Sequence, residues 1–201
     1  VDDQYSDSID YHYLSGIDPD FYVNFLNNAD IVTCTLQSRR QFRSLFKNKD
    51  YKYALERIME WQTVEILATK IISSFSRKKF FVVPSGGNAS VLFRLMFEPW
   101  RKIFYFGMPL TVLHKEEYKY IRQKIDDMAK WLDKYVILID PRYVEPLKIG
   151  QLTAEHENKS VHNQVVGRDC NVLIPQCDGM FGFYAANVNS YGENYEQSEM
   201  Y

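Results

Sequence analysis

The run Lys79-Phe80-Phe81-Val82-Val83-Pro84-Ser85-Gly86-Gly87-Asn88-Ala89-Ser90-Val91-Leu92-Phe93-Arg94-Leu95-Met96 constrains the fold of this chain more than any other stretch. Its first part is an apolar segment of strand length, and its last part carries apolar residues at helical spacing. Pro-Ser-Gly-Gly-Asn separates the two, so a strand turns directly into a helix. In an α/β protein this puts a glycine turn at the carboxyl end of a buried strand, facing the amino end of a helix. Glycine there admits φ > 0 and lets a ligand approach the backbone, while the free N–H groups of the first helical turn attract an anion. The turn therefore predicts a phosphate site made of Gly86 and Gly87 with the side chains of Ser85, Asn88 and Ser90.

The rest of the chain supplies the same alternation. Residues 1–16 read as a polar, acidic arm, 17–186 as a single α/β domain and 187–201 as a flexible tail. Asp18-Pro19-Asp20 is a helix start leading into Phe21–Asn27, and Asp30–Leu36 reads as a short strand. Gln37–Lys47 is an amphipathic basic helix. Tyr53–Phe75 is the longest helix, with Leu55, Ile58, Met59, Ile66, Leu67 and Ile71 on one stripe that Trp61 and Val64 widen. A helix over Ser90–Phe97 stops before Pro99. Lys102–Phe106 is a strand, His114–Leu132 a charged helix, Tyr135–Ile139 a further strand, and Asn171–Ile174 the last. Helices alternating with short apolar runs predict a three-layer α/β fold: a mostly parallel sheet with helices on both faces.

Composition narrows the function classes. With 46% hydrophobic residues in 201, one good core is the expectation, and most of the 15 Tyr and 13 Phe belong to it or its rim. A formal net charge of −2 provides no global field for nucleic acid or an anionic membrane. No apolar run reaches the length of a membrane span. Cys34, Cys170 and Cys177 are odd in number and form no Cys-x-x-Cys pair, which fits a reduced, cytoplasmic chain. The acidic amino end is unlike a secretory signal; lacking Met, it reads as processed or excised.

A second glycine turn, Asp178-Gly179, follows the last apolar run and would put the Asp178 carboxylate beside the ligand as a base. No metal or cofactor is expected. His156 and His162, flanked by Glu155 and Glu157, have neither zincin nor finger spacing, and His12 and His114 are isolated. No Gly-x-Ser-x-Gly elbow is present.

The order of a long helix (Tyr53–Ser74), a strand (Phe80–Val83), Ser85-Gly86-Gly87-Asn88-Ala89-Ser90, a helix (Val91–Phe97) and a later Asp178-Gly179-Met180 resembles the glucosamine-6-phosphate isomerase and 6-phosphogluconolactonase family over about residues 50–187. The resemblance implies a sugar-phosphate ligand held at the Ser-Gly-Gly turn. Two departures stand out. Met180 occupies the place of the family's acid–base His, and Gly107-Met108-Pro109 that of its acidic pair; Glu116 and Glu117 nearby are explained by helix position. General acid–base groups supply about 10²–10⁴-fold in rate, so weak or lost isomerase or lactonase activity is implied. Val83–Ser90 is also similar to the pyrophosphate loop of ATP-pyrophosphatase-type ligases, with Ala89 in place of that family's Asp. The remaining alternative is a non-catalytic protein-interaction or structural domain, partnered by another protein or by its own copies.

Overall fold

The computed structural model describes residues 16–39, 42–47, 49–108, 119–144 and 159–183. Outside them lie residues 1–15 of the expected arm and the whole expected tail, as do His12, His114, Glu116, Glu117, Glu155, His156 and Glu157.

Phe21–Leu26 forms strand β1 and Lys79–Pro84 forms β2, paired in parallel with Phe21 opposite Lys79 and Leu26 opposite Pro84. The helix expected over Phe21–Asn27 is thus a strand. Its aromatic and β-branched residues suit a pleated surface, and pairing with β2 overrides the local Asp-Pro-Asp start signal. A parallel pair needs a long crossover. Here it comprises α1 (Ala29–Ser38), α2 (Phe42–Phe46) and α3 (Tyr51–Phe75).

Helix α1 replaces the strand expected over Asp30–Leu36. Asn28 caps it, its side-chain oxygen accepting from the amides of Asp30 at 2.9 Å and Ile31 at 3.4 Å. The hydroxyls of Thr33 and Thr35 donate back to the carbonyls of Ala29 and Ile31, at 2.7 and 2.8 Å, so threonines that favour strands are accommodated in a helix. Ala29, with Val32 and Leu36 beside it, packs into a core with Ala54, Leu55, Ile58 and Met59 of α3.

Helix α3 starts at its Asp50 cap and ends beyond Phe75, where Arg77 adopts φ 53°, the left-handed conformation common after helices. Its apolar stripe is split. Leu55, Ile58, Met59 and Ile66 are buried as expected, whereas Trp61, Val64, Leu67 and Ile71 face outward.

The remaining elements are α4 (Ser90–Phe97), β3 (Ile103–Gly107), α5 (Lys119–Leu132), β4 (Ile137–Ile139), a 3₁₀ turn at Pro141–Tyr143, α6 (Lys159–Arg168) and β5 (Gly179–Gly182). Strand β3 is central, with β4 and β5 parallel on either side. The result is a mixed α/β fold. Its described strands pair as two small parallel sheets, β1-β2 and β4-β3-β5. One core joins them: Leu26, Val82 and Val83 from the first meet Tyr105, Ile137 and Ile139 from the second.

The expected strand over Asn171–Ile174 is a correction of a different kind. Asp169–Leu173 forms a π-helical turn that buries Leu173. Just beyond it, the Gln176 carboxamide accepts from the Val82 amide at 2.7 Å and donates to the Val82 carbonyl at 3.0 Å. One side chain thus satisfies both backbone groups on the free edge of β2, the role the missing strand would have played.

Candidate functional site at the carboxyl ends of the strands

The carboxyl ends of β1 and β2 are stitched together. The Ser85 amide donates to the Leu26 carbonyl at 3.0 Å and its hydroxyl to the Asn27 side chain, while Gln62 holds the Asn27 carbonyl at 2.7 Å. After Pro84 the chain reverses through a turn closed by the Gly87 amide on the Pro84 carbonyl, at 3.3 Å. Neither turn glycine takes positive φ, which corrects the expected reason for glycine here. Both lie against Tyr143. A β-carbon on Gly87 would sit 3.4 Å from the Tyr143 ring and 3.4 Å from the Pro84 carbonyl; one on Gly86 would sit 3.7 Å from the Tyr143 carbonyl.

The turn delivers the chain into α4. The Asn88 side chain accepts from the Ser90 amide at 3.0 Å and donates to Asp133 at 2.9 Å. Asp133 in turn pairs with Arg94 at 2.7 Å. Among the described residues the amides of Gly86, Asn88 and Ala89 have no partner, and the Ser90 hydroxyl is buried without one. Across the turn stands Lys130 of α5, exposed and likewise unpaired. Of these, Asn88 and Lys130 border a cavity of about 130 Å³ whose walls also include Gly87 and Tyr143.

Strand β4 contributes its own carboxyl end. Buried Asp140 accepts from the Arg142 amide at 3.0 Å, closing the Pro141–Tyr143 turn, and grips the Arg142 guanidinium at 2.6 Å. Asp126 of α5 takes the other side of that guanidinium at 2.6 Å. Burial works against the Arg142 charge, and the two carboxylates outweigh it, so its pKa lies above the ordinary value. Arg142, Asp126 and Tyr143 also line a second cleft of about 820 Å³, whose other wall is α1, with Asn28, Ile31, Cys34, Thr35 and Ser38.

Ser85, Gly86, Gly87, Asn88 and Ser90 therefore lie at one corner, in the turn between β2 and the start of α4. Asp178 is not with them. It precedes β5 and lies at the amino ends of β3 and β5, accepting from the Ile103 amide at 2.8 Å and from Lys102 at 3.0 Å. The Ile103 amide first, then Lys102, hold its carboxyl below the usual carboxylate range. Its neighbour Cys177 is a free thiol pushed up to about 12, by burial first and then by Asp178, and donates to the Leu173 carbonyl at 3.2 Å.

Arg142, Asp126, Asp140, Lys130 and Tyr143 were not singled out from sequence. The signal for Asp140 to Tyr143 was available: a polar Asp-Pro-Arg-Tyr segment directly follows an apolar strand, at the end where α/β ligands bind. Asp126 and Lys130 sit four residues apart on one face of α5, a spacing common on any charged helix.

Comparison with protein-family models, with curated proteins and with solved structures found no match for this chain. No described helix is long and apolar enough to cross a membrane, and no group of three or more metal-ligating side chains is found among the described residues.

Proposed function

We propose that the protein binds a phosphorylated small molecule, with the phosphoryl group against the Ser85–Ser90 turn. One observation carries the reading: the Asn88 amide and the Lys130 ammonium, without partners among the described residues, border one small cavity, and the likewise unpartnered amides of Gly86 and Ala89 and the Ser90 hydroxyl belong to the same turn. Such donors serve an anion. The carboxylates nearby are each engaged by arginine, Asp133 by Arg94 and Asp126 and Asp140 by Arg142, which offsets their repulsion. The reading is one of binding. Asp178 is held by Ile103 and Lys102 at the amino ends of β3 and β5, and Met180 packs against the core, so the reading assigns neither a part in isomerase or lactonase chemistry.

Isothermal titration with inorganic phosphate and a hexose phosphate tests the proposal. Binding is expected for both, with Lys130→Glu weakening it about tenfold by replacing an attractive charge with a repulsive one. Absence of heat from either ligand rejects it.

A second reading, self-association, has its own observation. Trp61, Val64, Leu67, Ile71 and Phe75 of α3 are between 48% and 82% exposed and recur at three- and four-residue spacing. A stripe of that period suits pairing with α3 of a second copy. Size-exclusion chromatography should show a dimer that Leu67→Lys dissociates; a monomer at all concentrations removes this reading.

A further inference from the structure

Resting on the phosphoryl reading, we infer that the ligand is a nucleoside phosphate rather than a simple sugar phosphate. The phosphoryl-sized cavity and the larger cleft share Asp126, Arg142 and Tyr143, so a molecule gripped at the turn extends its body toward α1. The larger cleft, of about 820 Å³, is within the usual range for small-ligand sites.

The chemistry of its walls separates the ligand classes. A sugar body presents several hydroxyls, each needing a hydrogen-bond partner when it leaves water. Several polar side chains of this cleft already hold partners within the protein. Asn28 caps α1, and Asp30 accepts from the Tyr51 hydroxyl. The Thr35 hydroxyl donates to the Ile31 carbonyl and that of Ser38 to the Thr35 carbonyl, both at 2.8 Å. Arg142 is held by Asp140 and Asp126. What the cleft offers instead is apolar surface. Ile31 is 60% exposed on α1, and Tyr143, which packs over the glycine turn, keeps 41% of its surface exposed. A flat heteroaromatic ring buries its faces on such groups without demanding new partners, and stacking on an aromatic side chain is tolerant of base identity. A phosphoryl group at Gly87 with a base against Tyr143 and Ile31 uses both cavities in one molecule.

The test uses the full chain with AMP, ribose 5-phosphate and inorganic phosphate. Titration should give AMP about tenfold tighter than ribose 5-phosphate, the low end of what stacking a base contributes. Alkylation by iodoacetamide, mapped residue by residue, offers an independent readout. Cys34 is exposed and lines the larger cleft, whereas Cys170 is exposed outside it. Saturating AMP should slow modification of Cys34 several-fold and leave Cys170 unchanged. Ile31→Ser, which removes apolar surface without adding charge, should erase the AMP advantage while preserving the affinity for ribose 5-phosphate. Equal affinities for AMP and ribose 5-phosphate, with Cys34 reacting at the same rate throughout, would overturn the inference and leave the phosphoryl site standing. Failure of all three ligands to bind would overturn the phosphoryl reading, and this inference with it.

Discussion

Two glycine turns, similar in sequence, have opposite fates in the folded chain. Asp178-Gly179 is saturated: the carboxylate holds the Ile103 amide and Lys102, the Asp178 amide donates to the Ile103 carbonyl at 2.7 Å, and Gly179 faces the Phe104 ring. Among the described residues, Ser85–Ser90 leaves three amides, a buried hydroxyl and a neighbouring ammonium uncommitted. Polar residues beside glycine therefore do not mark a site by themselves. Remaining hydrogen-bond capacity is the more telling difference: the Ser90 hydroxyl is buried, and a buried donor left unpaired is costly unless a ligand or water takes it, whereas the free turn amides belong to exposed residues.

The strongest way to break the comparison is at Arg142, because the carboxyl-end corner also contains a structural element. Removing its guanidinium by Arg142→Met strands Asp140, whose side chain is only 6% exposed, beside an apolar group. Breaking a buried pair by removing one partner typically costs 3–5 kcal/mol; with Asp126 half-exposed and easily rehydrated, a loss of about 3 kcal/mol is expected. Urea denaturation measures it. A loss below about 1 kcal/mol would mean that the Asp140 anchor is dispensable and the corner is softer than described.

The glycines sharpen the contrast next. A β-carbon on Gly179 would lie 2.6 Å from the Phe104 ring, a stacked partner of Phe181 with centroids 4.5 Å apart, so the ring has little room to yield. Gly179→Ala is expected to destabilise by about 1–3 kcal/mol through overpacking. Gly86→Ala meets nothing closer than 3.7 Å at a residue without positive φ, and should be neutral or stabilising by up to about 1 kcal/mol. Paired melting curves of the two variants decide this. Equal losses would show that both turns are packing devices.

These numbers also show where the sequence was readable. The strand–turn–helix over Lys79–Phe97 was legible because the period change and the Pro-Ser-Gly-Gly-Asn breaker agree with the tertiary context. Phe21–Leu26, Ala29–Ser38 and Asp169–Leu173 were not, for separate reasons. Pairing with β2 outweighed a helix start, an Asn cap outweighed β-branched propensity, and a glutamine side chain took the place of a strand. Gln176 shows why the last was hidden: nothing local says that a carboxamide will close a sheet edge nearly a hundred residues earlier in the chain. The site was half legible. The turn was visible, but Arg142, Asp126 and Lys130 reach it only through the packing of α5 and β4 around it.

Asp178 offers a pH test of the saturated turn. Its folded pKa lies below the ordinary carboxylate value, so its contribution to stability is present above the unfolded pKa, about 4. It is lost as pH falls through the folded value. The melting temperature of the wild type should therefore exceed that of Asp178→Asn at pH 7, and the gap should close in acid below pH 4. The effect is modest because the group is well exposed to solvent. A gap unchanged down to acid pH would show that Asp178 acts by shape rather than by charge.

The smallest effect bears most directly on the open turn. Asp126 is 47% exposed, occupies one side of Arg142 and lines both cavities, so its charge opposes an incoming phosphoryl group. Asp126→Asn keeps the side-chain size and removes that charge. It also releases part of the Arg142 field toward the cavity, since among the described residues Asp140 is then its remaining carboxylate partner. Coulomb interactions near a surface are screened, so the gain in phosphate affinity should be about threefold, and smaller at high salt. Titration with inorganic phosphate at two ionic strengths reads both features. Weaker binding in Asp126→Asn would mean that this carboxylate positions Arg142 for the ligand instead of competing with it, and the cavity would then recognise its anion through an ordered Asp–Arg pair.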